Sequence, residues 1–187
     1  MQKEFRKGFI LYKTHNVNPI IVTPHSGPAM ENPVARDDNS ETIANLVWNH
    51  TKGTLIVSTT PRSRLYGVDY NRDIPKLKDA LDYYFMFRTQ KDPDKLFEFR
   101  KKYAFVARDE EEYEEKLKLF QNFWAEVNKG DIIIIIHSSF IRIKSIPSIL
   151  DFITFSGQGI KFSKIKRILE EINVKYYNFL KGIELGY

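Results

Sequence analysis

Two histidines stand directly after apolar segments that are typical of buried strands. His25 follows the strand predicted over residues 19–23, and His137 follows the β-branched run at residues 131–136. In an open α/β sheet the carboxyl ends of the strands border the crevice where ligands bind. Imidazole nitrogen is a common zinc ligand. The pattern therefore predicts that His25 and His137 bind one metal ion together, whereas His15 and His50 have no such context and are predicted to be non-catalytic.

A carboxylate is expected as the third ligand, because catalytic zinc sites usually take three protein ligands and leave one position open. Glu41 is the favoured candidate, since it begins the helix that follows the loop after His25. Three further acids in the same loop remain as alternatives, namely Glu31, Asp37 and Asp38. Zinc is the expected ion, although two histidines and one carboxylate also suit iron.

A polar connection after the third predicted strand carries an amide and a guanidinium side by side, at Asn71 and Arg72. Arginine binds carboxylates through two parallel hydrogen bonds, so Arg72 is a candidate clamp for a carboxylate-bearing substrate. Two earlier arginines of this connection, Arg62 and Arg64, are candidate helpers. The alternative is that Arg72 forms a loop-ordering salt bridge with Asp69 or Asp73.

Glu184 lies near the end of the chain, in a short segment that is typical of a strand. A glutamate at a strand end in the crevice can take a proton from water and pass it to a leaving amine. The alternative is a solvated carboxylate near a terminus.

Strands and helices alternate along the chain, which predicts an α/β fold with a central sheet covered on both sides. Apolar segments predict strands over residues 8–13, 19–23, 54–58, 131–136 and 181–187. Ser40 is the predicted N-cap of a helix over residues 41–49, and Pro75 is expected to open the next helix. A break at Asp92 and Pro93 precedes a third helix, and helical spacing of apolar residues predicts two more over 109–128 and 161–180.

Composition is that of an ordinary globular domain, with 187 residues, 42% hydrophobic and 28% charged residues. One domain over residues 1–187 is expected. The chain has no cysteine, no apolar stretch long enough to cross a bilayer, and no signal-peptide pattern, so a cytoplasmic location without a membrane partner is predicted. The net charge is +5, and the 29 lysines and arginines are scattered among 24 acidic residues. A nucleic-acid partner is therefore not expected. The composition is thermophile-like, and the oligomeric state is left open.

The order of these motifs resembles the N-formylglutamate amidohydrolase family, within a wider group similar to zinc carboxypeptidases and aspartoacylases. The resemblance rests on Pro24-His25-Ser26-Gly27, Glu41 at a helix start, Asp69-x-Asn71-Arg72, Ile136-His137-Ser138, and Ile183-Glu184. It spans about residues 18–140 and the last few residues, and leaves the helical stretch 76–129 unmatched. The carboxypeptidase pattern has an acid three positions after its first histidine, where this chain has Pro28.

The resemblance implies a three-layer α/β/α sandwich around a central mixed, mostly parallel sheet. It implies one zinc ion bound by His25, Glu41 and His137, and Glu184 as the general acid/base. It also implies that Arg72, helped by Asn71 and with Arg62 nearby, grips a substrate carboxylate.

The expected function is therefore zinc-dependent hydrolysis of an N-acyl, N-formyl-like amino acid or a related carboxylate-bearing amide. The alternative is a non-catalytic relative that uses the same pocket to bind a small carboxylate.

Overall fold

The structure, a computed structural model, describes residues 1–30, 36–137, 142–143, 146–147 and 167. The chain divides into two compact units, Met1–Ile136 and His137–Tyr187. The prediction of one domain over the whole chain stays a prediction.

A five-stranded mixed sheet forms the centre of the first unit. Its strands lie in the order β1-β2-β4-β3-β5. β2 pairs antiparallel with β1 and with β4, whereas β3 pairs parallel with β4 and with β5. The strands are β1 (Gln2–Arg6), β2 (Phe9–Lys13), β3 (Ile20–Thr23), β4 (Thr54–Ser58) and β5 (Ile133–Ile135).

The α/β class is confirmed, but the expected predominance of parallel pairing is wrong for the described strands. The reason is β1, a strand that the sequence analysis did not predict. Its residues are mostly exposed, so it shows no apolar pattern. It forms a hairpin with β2 through Lys7 and Gly8, and Gly8 adopts a positive φ of 90° that glycine tolerates. This hairpin places antiparallel pairs on one side of the sheet.

Four helices lie between residues 36 and 137: α1 (Ser40–Thr51), α2 (Leu77–Thr89), α3 (Pro93–Lys102) and α4 (Glu110–Val127). The starts of α3 and α4 follow the sequence closely, because the side chains of Asp92 and Asp109 accept hydrogen bonds from backbone N–H groups of the first turn.

Ser40 is not the N-cap of α1, contrary to the prediction. Asn39 occupies that position in a left-handed conformation, and its side chain makes no capping bond. The Ser40 hydroxyl instead donates to the carbonyl oxygen of Asp37 at 2.8 Å. This contact ties the start of α1 to the loop that follows His25.

Alternate residues of the strands form two separate hydrophobic clusters, one on each face of the sheet. Ile20, Val22 and Ile56 pack in one cluster with Phe123 and Val127 of α4. On the other face, Ala44 and Trp48 of α1 pack with three strand residues and with Ile136, which follows β5. The strand residues are Ile21, Leu55 and Val57. Helices therefore cover this part of the sheet on both faces.

In the second unit, β6 (Arg142–Ile143) pairs antiparallel with β7 (Ile146–Pro147). The helix predicted over residues 161–180 lies outside the described residues except for Arg167, which is helical. The strand predicted over 181–187 also lies outside them. Within the described part of the chain, every helix is too short or too polar to cross a membrane.

Candidate functional site

The two parallel strands β3 and β5 end side by side. Their register pairs Ile20 with Ile133 and Val22 with Ile135. The ladder continues one residue further, because the Ile136 N–H donates to the Val22 carbonyl at 2.8 Å. His25 lies two residues beyond the end of β3, and His137 follows Ile136 directly.

Short polar contacts fix the turn that carries His25. The Ser26 hydroxyl lies 2.8 Å from the carbonyl oxygen of Ser58 and 3.0 Å from the Thr23 hydroxyl. Glycine is needed at position 27 because a Cβ there would stand 2.0 Å from the Thr60 carbonyl oxygen. The segment His25-Ser26-Gly27 is thus held against the end of β4, and the His25 ring has little freedom to move.

His25 lies between two carboxylates and is only 2% exposed. Its Nε2 is 2.9 Å from Asp69 Oδ1, a hydrogen-bond distance, whereas its Nδ1 is 3.4 Å from Asp37 Oδ2. An imidazole that donates from Nε2 carries its lone pair on Nδ1. In the neutral form of the His25 ring, Asp69 therefore selects the tautomer that directs a nitrogen lone pair toward Asp37.

Asp69 is fully buried, and its carboxylate has four polar partners. It accepts hydrogen bonds from Arg62 Nε at 3.2 Å and from the Asn71 backbone N–H at 3.0 Å, besides that of His25, and it forms an ion pair with Arg64 Nη1 at 2.8 Å. Burial by itself would raise the pKa of Asp69. The hydrogen bond from His25 and the charges of His25, Arg64 and Arg62 outweigh it and hold the pKa well below its usual range.

A backbone hydrogen bond holds Asp37 beside His25. Its backbone N–H donates to the His25 carbonyl at 2.9 Å, so the two residues lie side by side although twelve positions separate them. Arg62 contacts this second carboxylate as well, with Nη1 3.6 Å from Asp37 Oδ1. One guanidinium thus balances both acids that flank His25.

Within the first unit, His25 and Asp37 each offer a ligand atom, and these two atoms, Nδ1 and Oδ2, lie 3.4 Å apart. Two ligands of a tetrahedral zinc ion, with bonds of about 2.1 Å, are separated by about 3.4 Å. The His25–Asp37 separation has this value, which is long for a hydrogen bond. An imidazole and a carboxylate are both donors that zinc accepts, and the role of His137 as a further ligand stays a prediction.

Among the described residues, neither Glu41 nor Asp38 is paired with His25. Glu41 lies in the first turn of α1, and Asp38 is 61% exposed and pairs with Arg36. Glu31 and Glu184 lie outside the described residues, and the role of Glu184 stays a prediction.

Asn71 and Arg72 line a cavity of about 490 Å³ beside α2 and α3. The salt bridge considered for Arg72 is absent among the described residues, where Asp69 pairs with Arg62 and Arg64 instead. Arg62 therefore contacts the two acids beside His25, whereas Arg72 lines the cavity beside α2 and α3. Their predicted roles toward substrate stay predictions.

Sequence reasoning missed the part that Asp69 and Arg64 play. Asp69 was considered only as a partner for Arg72, and Arg64 only as a helper at the substrate. A signal was present, because Asp69 stands between buried Val68 and Tyr70. A charged residue in such a segment needs a buried partner.

Comparisons with protein-family models, with curated proteins and with solved structures find no match to this chain.

Proposed function

We propose that this protein is a metal-dependent amidohydrolase in which His25, Asp37 and His137 hold one divalent ion, with zinc as the favoured metal. The observation that carries the proposal is the geometry at His25. Its Nε2 is held by a buried carboxylate, and its Nδ1 stands at a zinc ligand–ligand separation, 3.4 Å, from a second carboxylate.

The proposal takes Asp37 as the carboxylate ligand in place of the favoured Glu41. Asp37 is held against His25 by a backbone hydrogen bond, and its Oδ2 lies 3.4 Å from His25 Nδ1. The three-layer α/β/α arrangement belongs to the same proposal. It is supported by the packing of α1 and α4 on opposite faces of the sheet.

When bound, zinc supplies Lewis-acid polarisation of a carbonyl and lowers the pKa of a water molecule toward about 7. Asp69 orients the His25 ring and fixes its tautomer, as carboxylates beside zinc-binding histidines commonly do. Arg62 offsets the negative charge of Asp37 and Asp69. Glu184 accepts and returns the proton during amide cleavage, in the role that the family resemblance implies.

The adjacent aspartates provide a matched test of the ligand set. Asp37→Asn removes a charge from the proposed site, whereas Asp38→Asn removes the same charge one residue away on the surface. We expect purified wild-type protein and Asp38→Asn to retain about one equivalent of zinc by elemental mass spectrometry. Asp37→Asn and His25→Ala should retain far less, because each loses one of three ligands.

The reaction is tested in the same samples with N-formylglutamate and other N-acyl amino acids as substrates. Release of the free amine measures their hydrolysis. Activity should disappear with chelator and return with added zinc. Zinc retention without turnover of any N-acyl amino acid would favour the non-catalytic carboxylate binder. Equal zinc in wild type and Asp37→Asn, with loss in Glu41→Gln, would restore Glu41 as the ligand. Wild-type protein that binds no divalent metal contradicts the proposal.

A further inference from the structure

The guanidinium of Arg64 joins the histidine site to the end of α3. The Arg64 side chain is only 4% exposed, and its Nη1 pairs at 2.8 Å with Oδ2 of Asp69, the carboxylate that also contacts His25. Its Nε donates to the Tyr103 carbonyl at 3.1 Å, and its Nη2 donates to the Arg100 carbonyl. One nitrogen of Arg64 therefore contacts the site, and the other two contact the helix end.

The end of α3 suits a buried guanidinium. The last carbonyls of a helix have no partner within the helix, and the helix dipole gives them a partial negative charge. Arg64 donates to one of these carbonyls, that of Arg100, and to the carbonyl of the C-cap residue Tyr103. A buried charge is unfavourable unless it is paired and hydrogen-bonded. The Asp69 carboxylate and the helix end meet this condition together.

Backbone hydrogen bonds fix the two residues of this ion pair against the segment that follows α3. The Val106 N–H donates to the Arg64 carbonyl at 2.9 Å. The Asp69 N–H donates to the Ala104 carbonyl, also at 2.9 Å. Arg64 and Asp69 therefore meet from a fixed backbone, and the position of the Asp69 carboxylate depends on the side chains that hold it.

Arg62 and Arg64 both pair with Asp69, but they differ in exposure. The Arg62 side chain is 30% exposed and contacts both Asp37 and Asp69, whereas Arg64 pairs with Asp69 in the interior. A substitution of Arg64 is therefore expected to act first on the carboxylate that holds Nε2 of His25. The contact between His25 Nδ1 and Asp37 does not involve Arg64.

We propose that Arg64 is a positioning residue of the histidine site, which fixes the Asp69 carboxylate, and through it the His25 ring, to the end of α3. The inference rests on the proposed function in so far as the His25 ring binds metal. It also gives a role to residues 76–129, the stretch without a counterpart in the family resemblance, because α3 belongs to that stretch.

The first test uses the full chain in the presence of a chelator, so that it does not depend on metal. The proton between His25 Nε2 and Asp69 is buried and hydrogen-bonded. It should give an NMR signal that exchanges slowly with water and is absent in His25→Gln. In Arg64→Gln we expect exchange about tenfold faster or more, because Asp69 loses its anchor. Arg88→Gln, an exposed change on α2, should leave the signal unchanged.

The second test measures zinc affinity by competition with a chromophoric chelator. Arg64→Gln should weaken zinc binding by about tenfold, at the lower end of the effect of changing a group that orients a metal-binding histidine. In the Asp69→Asn background the same substitution should change zinc affinity by less than about twofold, because coupled residues are not additive. Val127→Ala removes buried volume elsewhere in the core, and it should leave zinc affinity unchanged although it lowers stability.

Arg64→Lys is the second variant, because it keeps the buried charge and serves if Arg64→Gln does not fold. An ammonium does not reproduce the planar fork of a guanidinium, so both effects should persist in reduced form. The inference is overturned if wild-type protein shows no protected ring proton or if a folded Arg64 variant protects this proton as well as wild type does. Additive losses of zinc affinity from Arg64→Gln and Asp69→Asn also overturn it. Wild-type protein that binds no zinc, with ring protection lost in Arg64→Gln, contradicts the proposed function alone.

Discussion

Around His25, each side-chain position depends on a different neighbour. Asp69 bonds Nε2, Asp37 faces Nδ1, and Arg62 touches both acids. In many metal sites a carboxylate likewise orients a metal-binding imidazole through the nitrogen that does not bind the metal. Asp69 is therefore expected to act through His25, as a positioning residue.

Asp69→Asn keeps the side-chain volume and removes the charge. We expect zinc affinity to fall by about 10- to 100-fold, the usual effect of removing a carboxylate that orients a metal-binding histidine. The free energy of unfolding should fall by about 3 kcal/mol, because Arg62 and Arg64 lose their shared buried partner. Competition with a chromophoric chelator measures the first effect and urea denaturation the second. Asp82→Asn, an exposed change on α2, is the matched control.

The pH dependence of the same variant has a definite sign. The pKa of Asp69 is held below its unfolded value, so its contribution to stability is present above that value and is lost as the pH falls toward the folded pKa. Below about pH 4, the ordinary range of an aspartate pKa, wild-type protein should lose stability with falling pH more steeply than Asp69→Asn. Parallel acid unfolding curves would show that Asp69 is not the responsible group.

At the scale of elements, the site depends on how closely β3 and β4 approach beyond their ends. Gly27 lies against the backbone of Thr60, where a Cβ would be 2.0 Å from the carbonyl oxygen. A backbone atom cannot rotate away as a side chain can. Any larger residue at this position must therefore separate the two segments and move His25.

Gly27→Ala should lower the free energy of unfolding by about 1–3 kcal/mol, the usual cost of overpacking, and should also weaken zinc binding. Ala29→Ser, an exposed change in the same loop, should do neither. Calorimetric melting and metal competition check the two effects. A Gly27→Ala variant with wild-type stability and metal affinity would show that the segments separate without disturbing His25.

The same elements show what the sequence could predict. β2, β3, β4 and α4 follow from hydrophobic periodicity, because each buries a regular set of apolar residues. The placement of histidines after two apolar strands also indicated where a site would lie. β1 was missed because its exposed residues carry no such signal, and its pairing to β2 depends on the turn at Gly8.

The choice between acids in the loop after His25 was beyond sequence reasoning. It depends on the backbone hydrogen bond from Asp37 to His25 and on the left-handed Asn39 that starts α1. Neither contact is encoded in the spacing of acids along the chain. Glu41 and Asp37 are equally plausible as residue types, and the proposal of Asp37 rests on its contacts with His25 in the structure.

At the largest scale, Tyr70 ties the loop that carries the site to the central core of the first unit. Its ring stacks on Phe123 of α4 with centroids 3.9 Å apart. Its hydroxyl lies 3.0 Å from that of Thr60. Tyr70 directly follows Asp69, so the packing of the core and the position of the site are joined at this residue.

Burial raises the pKa of Tyr70 from 10.0 to about 12. The sign follows from linkage: the stability contributed by the neutral phenol is fully present below the unfolded pKa and is lost as the pH rises toward the folded one. Wild-type protein should therefore lose about 2 kcal/mol by about pH 11.5 through this group alone. Tyr70→Phe cannot ionise, so its stability should fall less over the same range, although the lost hydrogen bond costs it about 1 kcal/mol at neutral pH.

Urea denaturation of both proteins at a series of alkaline pH values measures the difference directly. The stability gap between wild type and Tyr70→Phe should narrow above about pH 10 and then reverse. Tyr66→Phe is the matched control, since Tyr66 is 57% exposed in the same connection, and its curve should run parallel to that of wild type. If the stability curve of Tyr70→Phe also runs parallel to that of wild type, the ionised Tyr70 side chain is tolerated in the core beside Phe123. The packing that holds Asp69 in place is then looser than these contacts indicate.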